Sequence, residues 1–126
     1  MRSARVYRLG DLQLRVMQVL WGRQEASVAE VHEALAQDLA YTTVATLLRR
    51  LETRGLVKHR QDGRSFIYRA AVAAEDVTRG AAEHLLEGLF EGSLADMVSH
   101  LLKQRDVSRR ELAEIERLIA ERKKEL

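Results

Sequence analysis

Apolar residues recur at helical spacing in one block after another along this chain. Leu12, Val16, Val19 and Leu20, with Met17 and Trp21 beside them, predict a first helix over about 11–22. Val28, Val31 and Leu35 predict a second. Ser27-Val28-Ala29-Glu30 opens it as a capping box, a serine followed three residues later by a glutamate. Gly10 with Gln13 is a weaker version of that signal ahead of the first helix. After a short link, Gln37-Asp38-Leu39-Ala40, Val44, Leu47, Leu48 and Leu51 fall at i, i+3, i+4 and i+7 and form one buried stripe. Thr42, Thr43, Thr46, Arg49 and Arg50 lie off that stripe and face outward. Gly55 follows the last periodic residue, where a left-handed glycine ends a helix, and Arg54 complements the dipole in the last turn.

The period then switches. LVKHR and RSFIYR flank Asp62-Gly63, a two-residue hairpin signal. With Asp62-Gly63 as the loop, Gln61 opposes Arg64, His59 opposes Phe66, and Val57 opposes Tyr68. That register puts Val57, His59, Phe66 and Tyr68 on one face. Three helices followed by a basic hairpin predict a winged helix-turn-helix over residues 1–70, in a mainly α chain.

Beyond Ala70 the helical period returns. Val77, Ala81, Leu85 and Leu89 step by four, widened by Ala82, Leu86 and Phe90. Gly92-Ser93 interrupts the pattern. Leu94, Met97, Val98, Leu101 and Leu102 form the next stripe. Ser108-Arg109-Arg110-Glu111 opens a last helix carrying Leu112, Ile115, Leu118 and Ile119. A segment of about 55 residues is marginal as an independent core, and these stripes exceed what three short helices can bury among themselves. Residues 71–126 therefore read as a helical dimerisation domain. Its interface is assigned to Leu85, Leu89, Leu94, Val98, Leu101, Leu102, Leu112, Ile115 and Ile119, with twofold symmetry the commonest arrangement. The alternative is a monomer whose C-terminal helices fold back on the winged helix.

Charge sharpens this division. The net charge is +2, but residues 1–69 hold 12 Lys+Arg against 7 Asp+Glu, or +5, leaving −3 for the remainder. A basic half joined to an acidic half suits a polyanion-binding domain attached to a part that does not touch the polyanion. The chain has no cysteine and no proline, which removes disulfides and thiolate metal sites and suits short connections between helices. No apolar run approaches the roughly 18 residues of a membrane span, and the N-terminus has no signal-peptide core. A cytoplasmic protein without membrane insertion is expected.

The candidate chemistry is recognition rather than catalysis. Thr42, Thr43 and Thr46 stand at the N-terminal end of the third helix, from which side chains reach base edges in a major groove. A mid-helix threonine can instead bond back to a carbonyl four residues earlier. Arg49 and Arg50, a turn deeper, suit phosphate; so do Lys58, Arg60 and Arg64 on the hairpin. Tyr41 either touches sugar-phosphate or packs. Arg2, Arg5 and Arg8 belong either to a frayed arm or to one that contacts phosphate. His32, His59, His84 and His100 show no ligand spacing, and His32-Glu33 lacks the second histidine of a zinc-protease helix. No serine has a nucleophile's context and no glycine pattern cradles a phosphate, so no enzyme, cofactor or metal is expected.

The stretches LGDLQLRVMQVLWGRQEASVAEVHEAL, LAYTTVATLLRRLETRGLV and DGRSFIYR together resemble the penicillinase-repressor family, as do Gly92-Ser93-Leu94 and Asp106-Val107-Ser108-Arg109-Arg110-Glu111-Leu112. The resemblance covers about residues 9–120. It implies a dimeric bacterial repressor on a palindromic operator of double-stranded DNA, associated with antibiotic resistance. It also implies release through a membrane metalloprotease sensor, stimulated by β-lactam, that leads to cleavage in the dimerisation domain. The matching bond here is His100–Leu101. The copper-responsive branch has a cysteine-rich metal site that this chain lacks. Two other functions remain open: a winged-helix regulator induced by a small ligand, and a winged helix that binds protein instead of DNA.

Overall fold

The computed structural model describes residues 5–35 and 38–126; Arg2 of the basic arm and Gln37 of the link lie outside them. The elements run α1 (Asp11–Arg23), β1 (Glu25–Ser27), α2 (Val28–Leu35), α3 (Tyr41–Thr53), β2 (Val57–Asp62), β3 (Ser65–Ala70), α4 (Ala74–Phe90), α5 (Leu94–Gln104) and α6 (Arg109–Lys124). The chain divides into two compact units, Met1–His84 and Leu85–Leu126, with the division inside α4.

In the first unit one core serves three helices and a sheet. Val16, Met17 and Leu20 of α1, Val31 and Leu35 of α2, and Val44, Leu48 and Leu51 of α3 are buried together. Leu47 of the expected stripe is only half-buried. Ala26, Leu56, Val57 and Tyr68 close the core from the sheet side. Two connections lock the helices to their surroundings. The Trp21 indole N–H donates to the Val72 carbonyl at 2.9 Å, tying α1 to the chain beyond the wing. His32 Nε2 donates to the Leu39 carbonyl at 2.6 Å across the α2–α3 link.

Local chemistry explains where α2 and α3 begin and end. Ser27 Oγ accepts from the Glu30 N–H at 3.1 Å, and the Glu30 carboxylate accepts from the Ser27 N–H at 2.9 Å, a complete capping box. Gly10 has no side chain, so only the return half forms ahead of α1, from its N–H to Gln13 at 3.1 Å. At the end of α3 the Leu56 N–H reaches the Leu51 carbonyl and the Gly55 N–H reaches Glu52, each at 2.9 Å. This is a Schellman stop; Gly55 sits at φ +80°, where a Cβ would clash. The two residues it brings together, Leu51 and Leu56, are both buried.

The sheet departs from expectation twice. First, β1 pairs antiparallel with β3, giving the order β1-β3-β2, a third strand that the hydrophobic pattern does not announce. A three-residue strand is too short to show alternation. Second, the hairpin loop is Gly63-Arg64, not Asp62-Gly63. Asp62 pairs with Ser65, Gln61 with Phe66, His59 with Tyr68 and Val57 with Ala70. Gly63 has φ +62° while Arg64 is not in the left-handed region, as a type II′ turn requires; the expected loop needs both central residues there. Each strand keeps its parity under this shift, so Val57, His59, Phe66 and Tyr68 still share a face.

The second unit holds the last turns of α4 with α5 and α6. Ser93 and Ser108 each cap a helix, accepting from Asp96 N–H at 3.1 Å and Glu111 N–H at 3.0 Å. Neither α5 nor α6 contains a buried residue. Among the described residues, no helix is long and apolar enough to cross a membrane.

The two faces of α3 make opposite demands on stability. Leu48→Ala empties a fully buried site and should cost about 2–5 kcal/mol of unfolding free energy. Thr42→Ala, at an exposed position, should stay within about 0.5 kcal/mol. Urea denaturation of the two variants checks the contrast.

Candidate nucleic-acid interface

The amphipathic division of α3 positions this site. With Val44, Leu48 and Leu51 held in the core, the opposite face must point to solvent. Thr42, Thr43, Arg49 and Arg50 are exposed and Thr46 is half-buried. Thr42, Thr43, Thr46, Leu47 and Arg50 line one open depression of about 240 Å³. Among the described residues, none of these three threonine hydroxyls donates to a helix carbonyl. The threonine that bonds back is Thr53, whose hydroxyl reaches the Arg49 carbonyl at 3.0 Å. Thr46 Oγ1 instead accepts from Arg49 Nη2 at 3.2 Å. The first turn of α3 carries no acidic residue, so nothing there opposes an approaching anion.

The wing stands beside the start of that helix. Tyr41, Arg64, Ser65 and Phe66 line a second cleft, about 210 Å³, with Ser27, Val28 and Ala29. Tyr41 is exposed and meets the His32 ring edge-on, with centroids 6.1 Å apart. It therefore both packs and remains accessible.

His59, placed on the wing by the strand pattern, and Glu52, assigned no role by it, brace the wing against α3. His59 Nδ1 lies 2.7 Å from both carboxylate oxygens of Glu52. The His59 ring stacks on Phe66 at 4.3 Å and tilts against Tyr68 at 5.4 Å. Burial pushes the Tyr68 phenol up, and the nearby Glu52 charge adds to the effect. Arg54, expected only to complement the helix dipole, donates to the Arg8 carbonyl and, at 3.3 Å, to Gln13. It thereby joins the end of α3 to the segment leading into α1. Arg5 lies over the Tyr7 ring, 4.8 Å from its centroid.

Of the wing cations, Arg60 is already paired within the fold: Nη2 and Nε donate to Glu25 at 2.8 and 3.5 Å, and Asp62 lies 4.0 Å from Nη1. The hydrogen bonds from Arg60 hold the Glu25 carboxyl below the usual carboxylate range and raise the guanidinium in turn. Among the described residues, Arg49, Arg50, Lys58 and Arg64 have no carboxylate within ion-pairing distance. The residues assigned to an interface between copies fall in the second unit. Leu85, Leu89, Leu94, Leu101, Leu102, Leu112 and Ile119 are exposed there, with Leu89 at 71% and Leu94 at 64%; Val98 and Ile115 are half-buried. His100 and Leu101 are exposed within α5. Among the described residues, no three His, Asp or Glu side chains gather as a metal site.

The penicillinase repressor family profile matches residues 9–121. The transcriptional regulator BlaI of Mycobacterium tuberculosis (strain H37Rv) is 38% identical over 122 residues, covering 90% of this chain and 88% of that protein. The penicillinase repressor of Bacillus licheniformis is 28% identical over 121 residues, covering 94% of each chain. The solution structure of the DNA binding domain of the repressor BlaI matches with a TM-score of 0.51 at 28% identity. That match covers 57% of this chain and 90% of that domain.

The Glu52–His59 contact gives a direct test of how the wing is held. His59→Ala removes a charge-assisted contact and a stacked ring, and should cost about 1 kcal/mol, a value limited by partial exposure. Amide exchange in β2 and β3 should accelerate while α1 and α2 keep their protection. Unchanged exchange in both strands would show that the wing does not depend on this brace.

Proposed function

This chain belongs to the penicillinase-repressor family and is a transcriptional repressor of that type, not an enzyme; we propose that it acts as a homodimer on a palindromic DNA operator. The observation that carries this reading is the outward face of α3. It combines hydrogen-bonding threonines with unpaired arginines, has no acid in its first turn, and lies beside a basic hairpin. A face used to bind protein would expose aliphatic or aromatic residues instead. In the proposed roles, Thr42 and Thr43 read base edges, Thr46 supports them, and Arg49 and Arg50 grip phosphate. Lys58, Arg64 and Arg60 contact the backbone from the wing, Arg60 only after leaving Glu25.

The second unit supports the dimer in this reading. An unburied helical pair with an exposed leucine-rich surface is a surface that expects a partner. A second copy supplies the same surface by twofold symmetry. Two joined DNA-reading units bind far more tightly than one, because the second contact occurs at high effective concentration.

Cleavage at His100–Leu101, following a signal from a membrane metalloprotease sensor, would separate reading from pairing without altering a base contact. Proteases need extended backbone, so α5 must open locally. In the single chain α5 has no buried residue, so the opening is easier once the two copies part. A small ligand could instead release the repressor intact. The apolar groove between α5 and α6, about 230 Å³ and lined by Val98, Leu101, Leu102 and Ile115 among others, is where such a ligand would fit.

Two experiments test these roles. Thr42→Ala or Thr43→Ala should cost about 1–3 kcal/mol at the cognate operator with little change in non-specific binding. Arg49→Ala with Arg50→Ala should flatten the salt dependence, by about 0.9 in slope for each phosphate that is no longer neutralised. Titration of labelled duplexes over a salt series separates the outcomes, and equal losses on all sequences would remove the base-reading role. For the dimer, Leu101→Asp should give monomers in sedimentation, lost operator affinity and an intact winged-helix signature by NMR. A variant that stays dimeric excludes Leu101 from the interface. Intact repressor leaving the operator in induced cells, with no His100–Leu101 fragment by mass spectrometry, would replace cleavage with ligand release.

A further inference from the structure

We infer that Glu25 sets this repressor's DNA affinity by acting as an internal counter-ion to Arg60, one that a DNA phosphate must displace before that arginine can contribute. The inference rests on the DNA-binding reading above and deepens it.

The sheet register creates the pair. Arg60 opposes Ile67 across β2–β3, and Ser27 opposes Ile67 across β1–β3. Opposed residues share a face, and so do residues two apart on one strand. Glu25 therefore lies on the same face as Arg60, reaching diagonally over β3. Two adjacent guanidinium nitrogens meet its two carboxylate oxygens, at 2.8 and 3.5 Å. This side-on geometry is also how an arginine holds a phosphate, so carboxylate and phosphate compete for the same donors.

Three features make the competition consequential. The pair is open to an incoming strand, with Arg60 and Glu25 side chains 55% and 47% exposed. Arg60 lies two residues from the start of the turn, on the strand that ends at Asp62, within the basic hairpin. The other assigned cations, Arg49, Arg50, Lys58 and Arg64, carry no such partner among the described residues. Arg60 is thus the one assigned cation whose charge is already answered within the fold. An exposed ion pair of this kind is weak. Glu25 therefore competes with phosphate for Arg60 and lowers, without abolishing, the share of bound complexes in which Arg60 holds a phosphate.

The test needs no known operator. The full-length chain is titrated against a fluorescent random-sequence duplex over a salt series, as wild type, Glu25→Gln, Arg60→Gln and the double variant. Glutamine keeps the size and one hydrogen-bond acceptor, and thermal melts confirm that each variant folds. Glu25→Gln is expected to bind about twofold to fivefold more tightly, with a salt slope steeper by up to about 0.9 as Arg60 becomes fully available to a phosphate. In the Arg60→Gln background the same substitution should change neither quantity. An equal gain in that background means that Glu25 acts only as a distant charge, and overturns the inference. Unchanged or weaker binding by Glu25→Gln overturns it as well, the latter by making Glu25 a support for Arg60 rather than its competitor. Failure of the wild type to bind any duplex would instead overturn the DNA-binding reading itself.

Discussion

The burial of one stripe of α3 governs the rest of the first unit. Val44, Leu48 and Leu51 have no exposed surface, and each is worth roughly 1.5–3 kcal/mol in its site. That energy fixes the rotation of the helix about its axis. Once the rotation is fixed, Thr42, Thr43, Arg49 and Arg50 have no choice of direction. The same constraint continues through the helix end. The Schellman stop at Gly55 delivers Leu56 and Val57 into the core, so β2 begins at a set place and angle. Helix face and wing are therefore one rigid consequence of one hydrophobic contact, with the Glu52–His59 brace adding a polar tie.

The second unit obeys the opposite rule. Its helices are well formed: Ser93 and Ser108 cap their starts, and Arg117 pairs with Glu114 and Glu121 on neighbouring turns. Yet their apolar stripes remain uncovered, and exposed ion pairs contribute little. Helix formation here is local, and packing within the chain adds little to it, which leaves low resistance to local opening.

Charge in the first unit is less simple than its net value suggests. Part of the positive charge is neutralised or occupied within the fold: Arg23 meets Glu30 at 3.0 Å, Arg60 meets Glu25, and Arg54 serves backbone and glutamine oxygens. Among the described residues, the cations left without an ion pair include Arg49 and Arg50 on α3 and Lys58 and Arg64 on the wing. The position of this charge, rather than its amount, is what matches a polyanion, because the field of a surface depends on which charges are left unanswered nearby.

Periodicity, caps and stop signals made the helices legible from residues alone. Each depends on neighbours within a turn or two, so Leu12 to Trp21, the Ser27–Glu30 box and the stripe of α3 could be read directly. The exposed threonine and arginine face was legible for the same reason, as the complement of that stripe, and so was the parity of the wing strands. What only the tertiary structure decided depends on partners far apart in sequence. Strand β1 exists because β3 lies beside it, since three residues carry no alternation of their own. The turn settled on Gly63-Arg64 because a single glycine suits a type II′ turn, and the dipeptide Asp62-Gly63 does not reveal which position that glycine will take. Arg60 found Glu25, and His59 found Glu52, through pairings that side-chain chemistry permits at many positions and only the assembled sheet and helix select.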